Sequence, residues 1–280
     1  FGNGVDIDNS TSLTNQGVTV SGTNMFNGNS NGLNVLSHGM ITTYNTFASN
    51  NGADGVHLDN CDGSATSCTV VGAPAVVMYG NNYFYNNIGD GLDILSFGQI
   101  ITYNLTASNN SANGVLLDNQ VTSAAGVESR GNIILNGYNV FNSNTLDGLH
   151  ATSNYDITAY NLNANDNLGN GASLAADLTQ PYIYSVRVRV KVRGVYRYVY
   201  KYYTRSTANI NLYGVNNFVG NNVDGLNVNA DGAISLYSIN ANFNGSDGAD
   251  LTTTTPGFGV ALYNTNYFTD NITGVGTGAG

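Results

Sequence analysis

A single template repeats through this 280-residue chain, and it limits the accessible folds more than composition does. It reads most clearly in Ile100 to Asn119. An apolar strand ends there at Tyr103, Ala107 and Asn110 follow, and an Asn113-Gly114 turn leads into a second apolar strand, Val115 to Leu117. With the asparagine as register mark, the repeat falls at Asn29, Asn51, Asn87, Asn110, Asn144, Asn167, Asn221, Asn244 and Asn271. Most marks are followed within a few residues by Gly and an apolar pair, as in Gly55-Val56-His57-Leu58 and Gly91-Leu92-Asp93-Ile94. The period, about 22–23 residues, is that of solenoids.

Ile210/Leu212 and Ile234/Leu236 show the apolar alternation of a strand with one buried face. No segment carries a 3.6-residue apolar period. The expectation is an all-β parallel β-helix solenoid, one unit over residues 1–280, with about nine coils and a length of about 45 Å at ~4.8 Å per rung. A unit this short cannot cover its own apolar face, so the core exists only in the stack. The asparagine mark then has a physical reason: its amide can donate to the next coil and accept from the previous one, satisfying an inward-pointing turn. The Gly after Asn or Asp is expected to supply a positive φ at the neighbouring corner.

Coils alternate in pairs. Phe26, Phe84, Phe141, Phe218 and Phe268 stand three residues before the mark in one set, and Ala48, Ala107, Ala164 and Ala241 in the other, as a filled core requires. The Ala coils end in insertions at 59–74, 118–131, 175–207 and 252–258, expected to leave one corner of the rod. Tyr44, Tyr79, Tyr103, Tyr160, Tyr213, Tyr237 and Tyr263 close the first strand of most coils and read as a stiffening stack, with a sugar platform as the sharper alternative.

The pattern N-x-F-x-x-N-x-x-D-G-L-x-[IV], carried by Asn81 to Ile94, resembles right-handed parallel β-helix proteins of the pectate-lyase-like superfamily. It is closest to the Asn- and Gly-rich repeats of large bacterial surface proteins. The resemblance implies the fold and its handedness. The fold itself serves lyases, hydrolases, adhesins and scaffolds alike, so it does not select a function.

Cys61 and Cys68 share one loop and read as a local disulfide, which favours an oxidising, extracellular or cell-surface setting. No apolar run reaches the ~20 residues of a membrane span. Residue 1 is Phe, and the chain reads as a processed protein or a segment of a longer one.

The insertion at 182–205 differs from the rest: YIYSVRVRVKVRGVYRYVYKYYTR. Gly194 separates two alternating arms, a β-hairpin signal. A three-residue loop would put the Val186/Val188/Val190 and Tyr196/Tyr198/Tyr200 rows on one face, with Arg187, Arg189, Lys191, Arg197, Lys201 and Arg205 opposite. A two-residue turn would set Arg and Lys against Tyr. Seven of the eight basic residues lie here, leaving 18 acidic residues against Arg130 alone, a formal −17, on the rest. The arm is expected to pack on its own rod or on a neighbour, giving a homo-oligomer or polymer. An anionic polysaccharide is the other candidate partner, and nucleic acid is disfavoured because the body would repel it.

Catalysis is poorly supplied. The lyase chemistry implied by the resemblance has only Arg130 as a base on the body. The outward column Asp6, Asn34, His57, Asp93, Leu116, His150, Ser173, Asn227, Asp250 makes His57, Asp59 and Asp93 the best constellation. Asp54, Asp90, Asp147, Asp224 and Asp247 are accounted for by the turn at the Gly corner. No catalytic residue, cofactor or metal ligand is assigned. The reading is an extracellular structural solenoid that assembles by coil stacking and the hairpin, with a carbohydrate-binding or carbohydrate-active β-helix as the alternative.

Overall fold

The structure, a computed structural model, describes residues 2–10, 16–61, 68, 72, 74–123, 125–192 and 195–272. Among these residues there is no helix. The chain winds through three parallel sheets of nine strands each, matching a β-helix of about nine coils, and adds one antiparallel two-stranded hairpin. A representative coil runs Val76–Tyr79 in the first sheet, Asn82–Tyr85 in the second and Leu92–Leu95 in the third. Its inward residues Val76, Met78, Phe84, Leu92 and Ile94 are fully buried, while Asp93 between them is only half-buried.

The register marks superpose. From Asn51 to Asn244 each Nδ2 donates to the Oδ1 one coil on, at 2.9–3.0 Å. The same Oδ1 also accepts the backbone N–H of the previous mark, as Asn110 Oδ1 does from Asn87 at 3.1 Å. The second Nδ2 hydrogen goes back to the Phe or Ala carbonyl of the preceding coil, Phe84 for Asn110 at 3.2 Å. Asn29 joins through its backbone N–H, to Asn51 Oδ1 at 2.9 Å, and Asn271 accepts at the far end. Burial of these amides is nearly complete, so each unmade bond would cost about 1–3 kcal/mol.

A second column lies one corner away. Asn82, Asn139 and Asn216 are fully buried, in Phe coils only. Asn82 Oδ1 accepts the Thr46 N–H of the coil before at 3.1 Å, and its Nδ2 donates to the Tyr103 carbonyl of the coil after at 2.9 Å. Phe and Ala alternate in register, Ala48 lying against Phe84 and Phe84 against Ala107.

The expected role of the corner glycines needs correction. Left-handed backbone occurs instead directly before the ladder mark, at Asn50, Asn86, Asn109 and their equivalents, and directly after the tyrosine column, as at Asn45, Gly80 and Asn104. The corner Gly is required by crowding. A Cβ on Gly91 would stand 2.5 Å from the Gly114 carbonyl oxygen and 2.7 Å from Asn110 Nδ2.

The four insertions all follow third-sheet strands, which end at Asp59, Asn119, Ala176 and Thr253. The first three touch in sequence along that side. Cys68 N–H donates to the Thr122 carbonyl at 3.3 Å, and Glu128 accepts from the Thr179 hydroxyl and from Gln180 N–H. The Cys61–Cys68 disulfide is present and buried, packed with Phe97 and Val121 in a small satellite core.

Three outcomes follow from this packing. Asn110→Ala strands the Asn87 amide and N–H without an acceptor, and should cost about 2–4 kcal/mol in urea unfolding. Asn110→Asp should cost more at neutral pH, because its oxygen faces two acceptors, and should recover as the pH falls. An Asn110→Ala loss below ~0.5 kcal/mol would remove the ladder from the account of stability. Phe243 occupies the left-handed column at φ 58°, where neighbouring coils place Asn, Ser, Asp or Gly, and it is exposed. Phe243→Asn should therefore stabilise the rod by about 1 kcal/mol in the same assay.

Candidate functional surfaces

The hairpin pairs Tyr182–Val192 with Val195–Arg205, in a register that sets Val192 opposite Val195. The expected turn residue Gly194 lies outside the described residues, but the register decides between the two arrangements: basic residues face tyrosines. Arg187 is opposite Tyr200, Arg189 opposite Tyr198 and Lys191 opposite Tyr196. The guanidinium carbons sit diagonally over rings, Arg187 at 4.1 Å from the Tyr198 centroid and Arg189 at 4.0 Å from that of Tyr196; Lys191 Nζ lies 5.6 Å from the Tyr196 centroid. Arg197 and Lys201 share the other face with Val186, Val188, Val190 and Val199. The arrangement with both apolar rows on one face and all bases opposite is thus ruled out, because directly paired residues of an antiparallel ladder lie on the same side.

Both faces are open. Tyr198 is 60% and Tyr202 73% exposed, and Val186 is 40% exposed, so the arm does not lie along its own rod. Its base is tied down. Arg205 pairs with Asp156, stacks on Tyr155 at 4.7 Å, and donates Nε–H to the Thr207 carbonyl at 3.1 Å. Arg205 therefore anchors the arm to its own rod, whereas the other basic residues remain at the surface.

The tyrosine column is stacked in two runs. Centroid spacings are 5.1 Å for Tyr44–Tyr79, 5.5 Å for Tyr79–Tyr103 and 5.3 Å for Tyr160–Tyr213. Asn136 interrupts it opposite Tyr103. A second aromatic surface was not anticipated. On the outer face of the second sheet, Phe47 stacks on Tyr83 at 5.0 Å, and Met25, Tyr85 and Ser49 complete a groove of about 280 Å³. The signal was available in the residue between the inward pair of each second-sheet strand, which is Met25, Phe47 and Tyr83 in three successive coils.

The outward column of the third sheet runs in register as expected, with His57 beside Asp93. His57 Nδ1 lies 2.7 Å from Asp93 Oδ2. Asp59 is near enough for its charge to act on His57, but it is fully buried and its carboxylate accepts the Cys61 N–H, so it is not one of the converging ligand atoms. Asp54 converges with His57 and Asp93 instead, since the corner folds it back toward the imidazole. Asp54 also belongs to a third polar column. Its Oδ1 accepts Asp90 N–H at 2.8 Å, Asp90 Oδ1 accepts Asn113 N–H at 2.7 Å, and Asn113, Asp147, Asn170, Asp224 and Asp247 continue the series.

Burial of this column pushes the Asp90 carboxyl up to about 6, with the charges of Asp54 and Asp93 adding to the effect. Asp54 is raised in the same way, first by burial. Burial works against protonation of His57, but the Asp93 bond and the nearby carboxylates outweigh it and raise the imidazole above its ordinary value. His150 is raised by its bond to Asp147.

No helix among the described residues is long and apolar enough to cross a membrane. No protein-family model matches the chain, and neither a curated protein nor a solved structure matches it.

All four shifts have one sign. A carboxyl raised in the fold contributes stability that is present below about pH 4 and lost as the pH climbs through its folded value, about 6 for Asp90. The raised histidines lose theirs as the pH climbs through their folded values. The rod should resist urea better at pH 5 than at pH 7.5. Asp90→Asn, which keeps the acceptor as Asn31, Asn113 and Asn170 do, should raise stability at pH 7.5 and flatten the slope. The gain should be below about 3 kcal/mol, because a partly exposed carboxyl is screened. A pH profile unchanged by Asp90→Asn would sink this account.

Proposed function

We propose that this chain is an extracellular structural solenoid subunit, not an enzyme, that assembles with copies of itself into a filament or surface layer through its hairpin and rung-on-rung stacking. The observation that carries the reading is the hairpin: a projecting arm, basic and apolar at once, on a rod of opposite charge. An isolated two-stranded hairpin is marginal in water, so an arm about 35 Å long exposing this much Val and Tyr gains from a covering surface. Carboxylates on a neighbouring rod suit that purpose, and a contact that does not close on itself propagates. The buried disulfide and the resemblance to bacterial surface-protein repeats favour an extracellular setting.

A carbohydrate-binding role is the second reading, favoured by the Phe47/Tyr83/Tyr85 groove, whose stacked rings offer a flat apolar floor to a sugar.

Sedimentation and negative-stain microscopy of the purified chain test the first reading. Polymers should form at low salt, shrink as salt is raised, and vanish on replacing 182–205 with a short Gly-Ser link while the circular dichroism of the rod persists. Charge reversal of Arg187, Arg189 and Lys191 should act like the deletion. If the deletion variant polymerises as the parent does, the arm is not the assembly element. Oligosaccharide binding that is lost in Tyr83→Ala would favour the second reading.

A further inference from the structure

We propose that Asp54, His57 and Asp93 form a binding site for a single divalent metal ion of the zinc class. The three come from two successive rungs. His57 and Asp93 are direct partners on adjacent strands of the third sheet, so the ladder fixes their separation. Asp54 precedes His57 by three residues, across the corner made by Gly55. One ligand atom from each of the three lies within 4.8 Å of the others.

The donor set selects the ion. One imidazole and two carboxylates are three protein ligands, which leaves a fourth tetrahedral position for water, the pattern of an open zinc site. Calcium and magnesium favour oxygen alone and more of it, so the imidazole disfavours them. Bonds of ~2.0–2.2 Å to zinc put ligand atoms about 3.3 Å apart, so the 2.7 Å contact between His57 and Asp93 would have to open by less than ~1 Å. These side chains are 25% and 22% exposed, which leaves room for that movement and for an ion to enter. Asp54 is held through one oxygen by the Asp90 N–H, and its other oxygen remains for a metal. Asp90 adds negative charge from the next rung.

The molecule supplies its own comparison. Asp147-Gly148-Leu149-His150 repeats the Asp-Gly-x-His arrangement, with His150 Nδ1 3.2 Å from Asp147 Oδ2. Its strand neighbours are Leu116 and Ser173, so the second carboxylate is missing. At Asp224 and Asp250 the intervening column residue is Asn227, so the imidazole is missing. Among the described residues only the Asp54 group holds all three ligands. Metal ligation requires the neutral imidazole, so affinity should fall as the pH falls.

Calorimetric titration of the chelator-treated full chain with Zn²⁺ tests the site. One ion per chain is expected. His57→Asn places in the column the residue already present at Asn34 and Asn227, so the rod should tolerate it. His57→Asn and Asp93→Asn should each weaken binding by more than the roughly 10–100-fold typical of losing an outer-shell partner. His150→Asn should leave binding unchanged. On the unmutated chain, Co²⁺ should shift and broaden the NMR signals of His57 and leave those of His38 and His150, a readout independent of whether any variant folds. The proposal is overturned by the lack of saturable uptake, by uptake that survives His57→Asn, or by Co²⁺ effects shared equally among the three histidines.

Discussion

The planar amide of the ladder asparagine is the constraint from which the other columns follow. It has two donor hydrogens and two acceptor lone pairs, and the coil geometry uses all four: one amide on each side along the axis, and one backbone carbonyl and one backbone N–H, both from the coil before. An aspartate would set oxygen against oxygen, and an aliphatic residue would strand buried groups on both sides. Closing the amide onto its neighbour at 3.0 Å also draws successive corners together. That approach leaves no room for a Cβ beside the amide nitrogen, which explains the glycine column. Ladder and glycine column are thus one feature seen from two rungs.

The pairing of coils has a related cause. Asn82 and its equivalents reach both ways, taking an N–H from the coil before and giving one to the carbonyl of the coil after. Such a residue bonds both neighbouring rungs, so the neighbours need no polar group at that position and can carry Thr46 or Leu105. The same coils carry Phe, and the neighbours carry Ala, so bulk and bonding alternate together. A rung with Asn and Phe sits between two with an apolar or small residue and Ala, which fills the core without strain.

The sequence made the main ladder legible because its mark recurs in every coil and is followed by a distinctive Gly corner. It hid the second column, which recurs only in every other coil, although the N-x-F spacing carries it. The left-handed residues were hidden for a different reason: at Asn109-Asn110 two asparagines stand side by side, one bent and one bonded, and composition does not distinguish them. The corner glycines looked like turn formers because Asn-Gly and Asp-Gly usually are; their real cause is an atom from the next rung, far away in sequence. At the third sheet, strand alternation put Asp59 on the side of His57, but the strand ends there and the carboxylate turns to the Cys61 N–H. Asp54 was missed because a corner, not a strand, brings it to the imidazole.

The separation of charge is built from the same elements. The rod can concentrate carboxylates because many serve as acceptors for the next rung's N–H, a use that Asn31, Asn113 and Asn170 fill equally well in the same column. Acidity there is thus compatible with the fold without being demanded by it. The hairpin treats its bases differently. The guanidinium carbons of Arg187 and Arg189 each sit over a tyrosine ring, which holds the group in place without neutralising it. Arg205 spends its charge on Asp156 and fixes where the arm leaves the rod. One arginine therefore fixes the base of the arm, while Arg187 and Arg189 beyond it keep both their position and their charge.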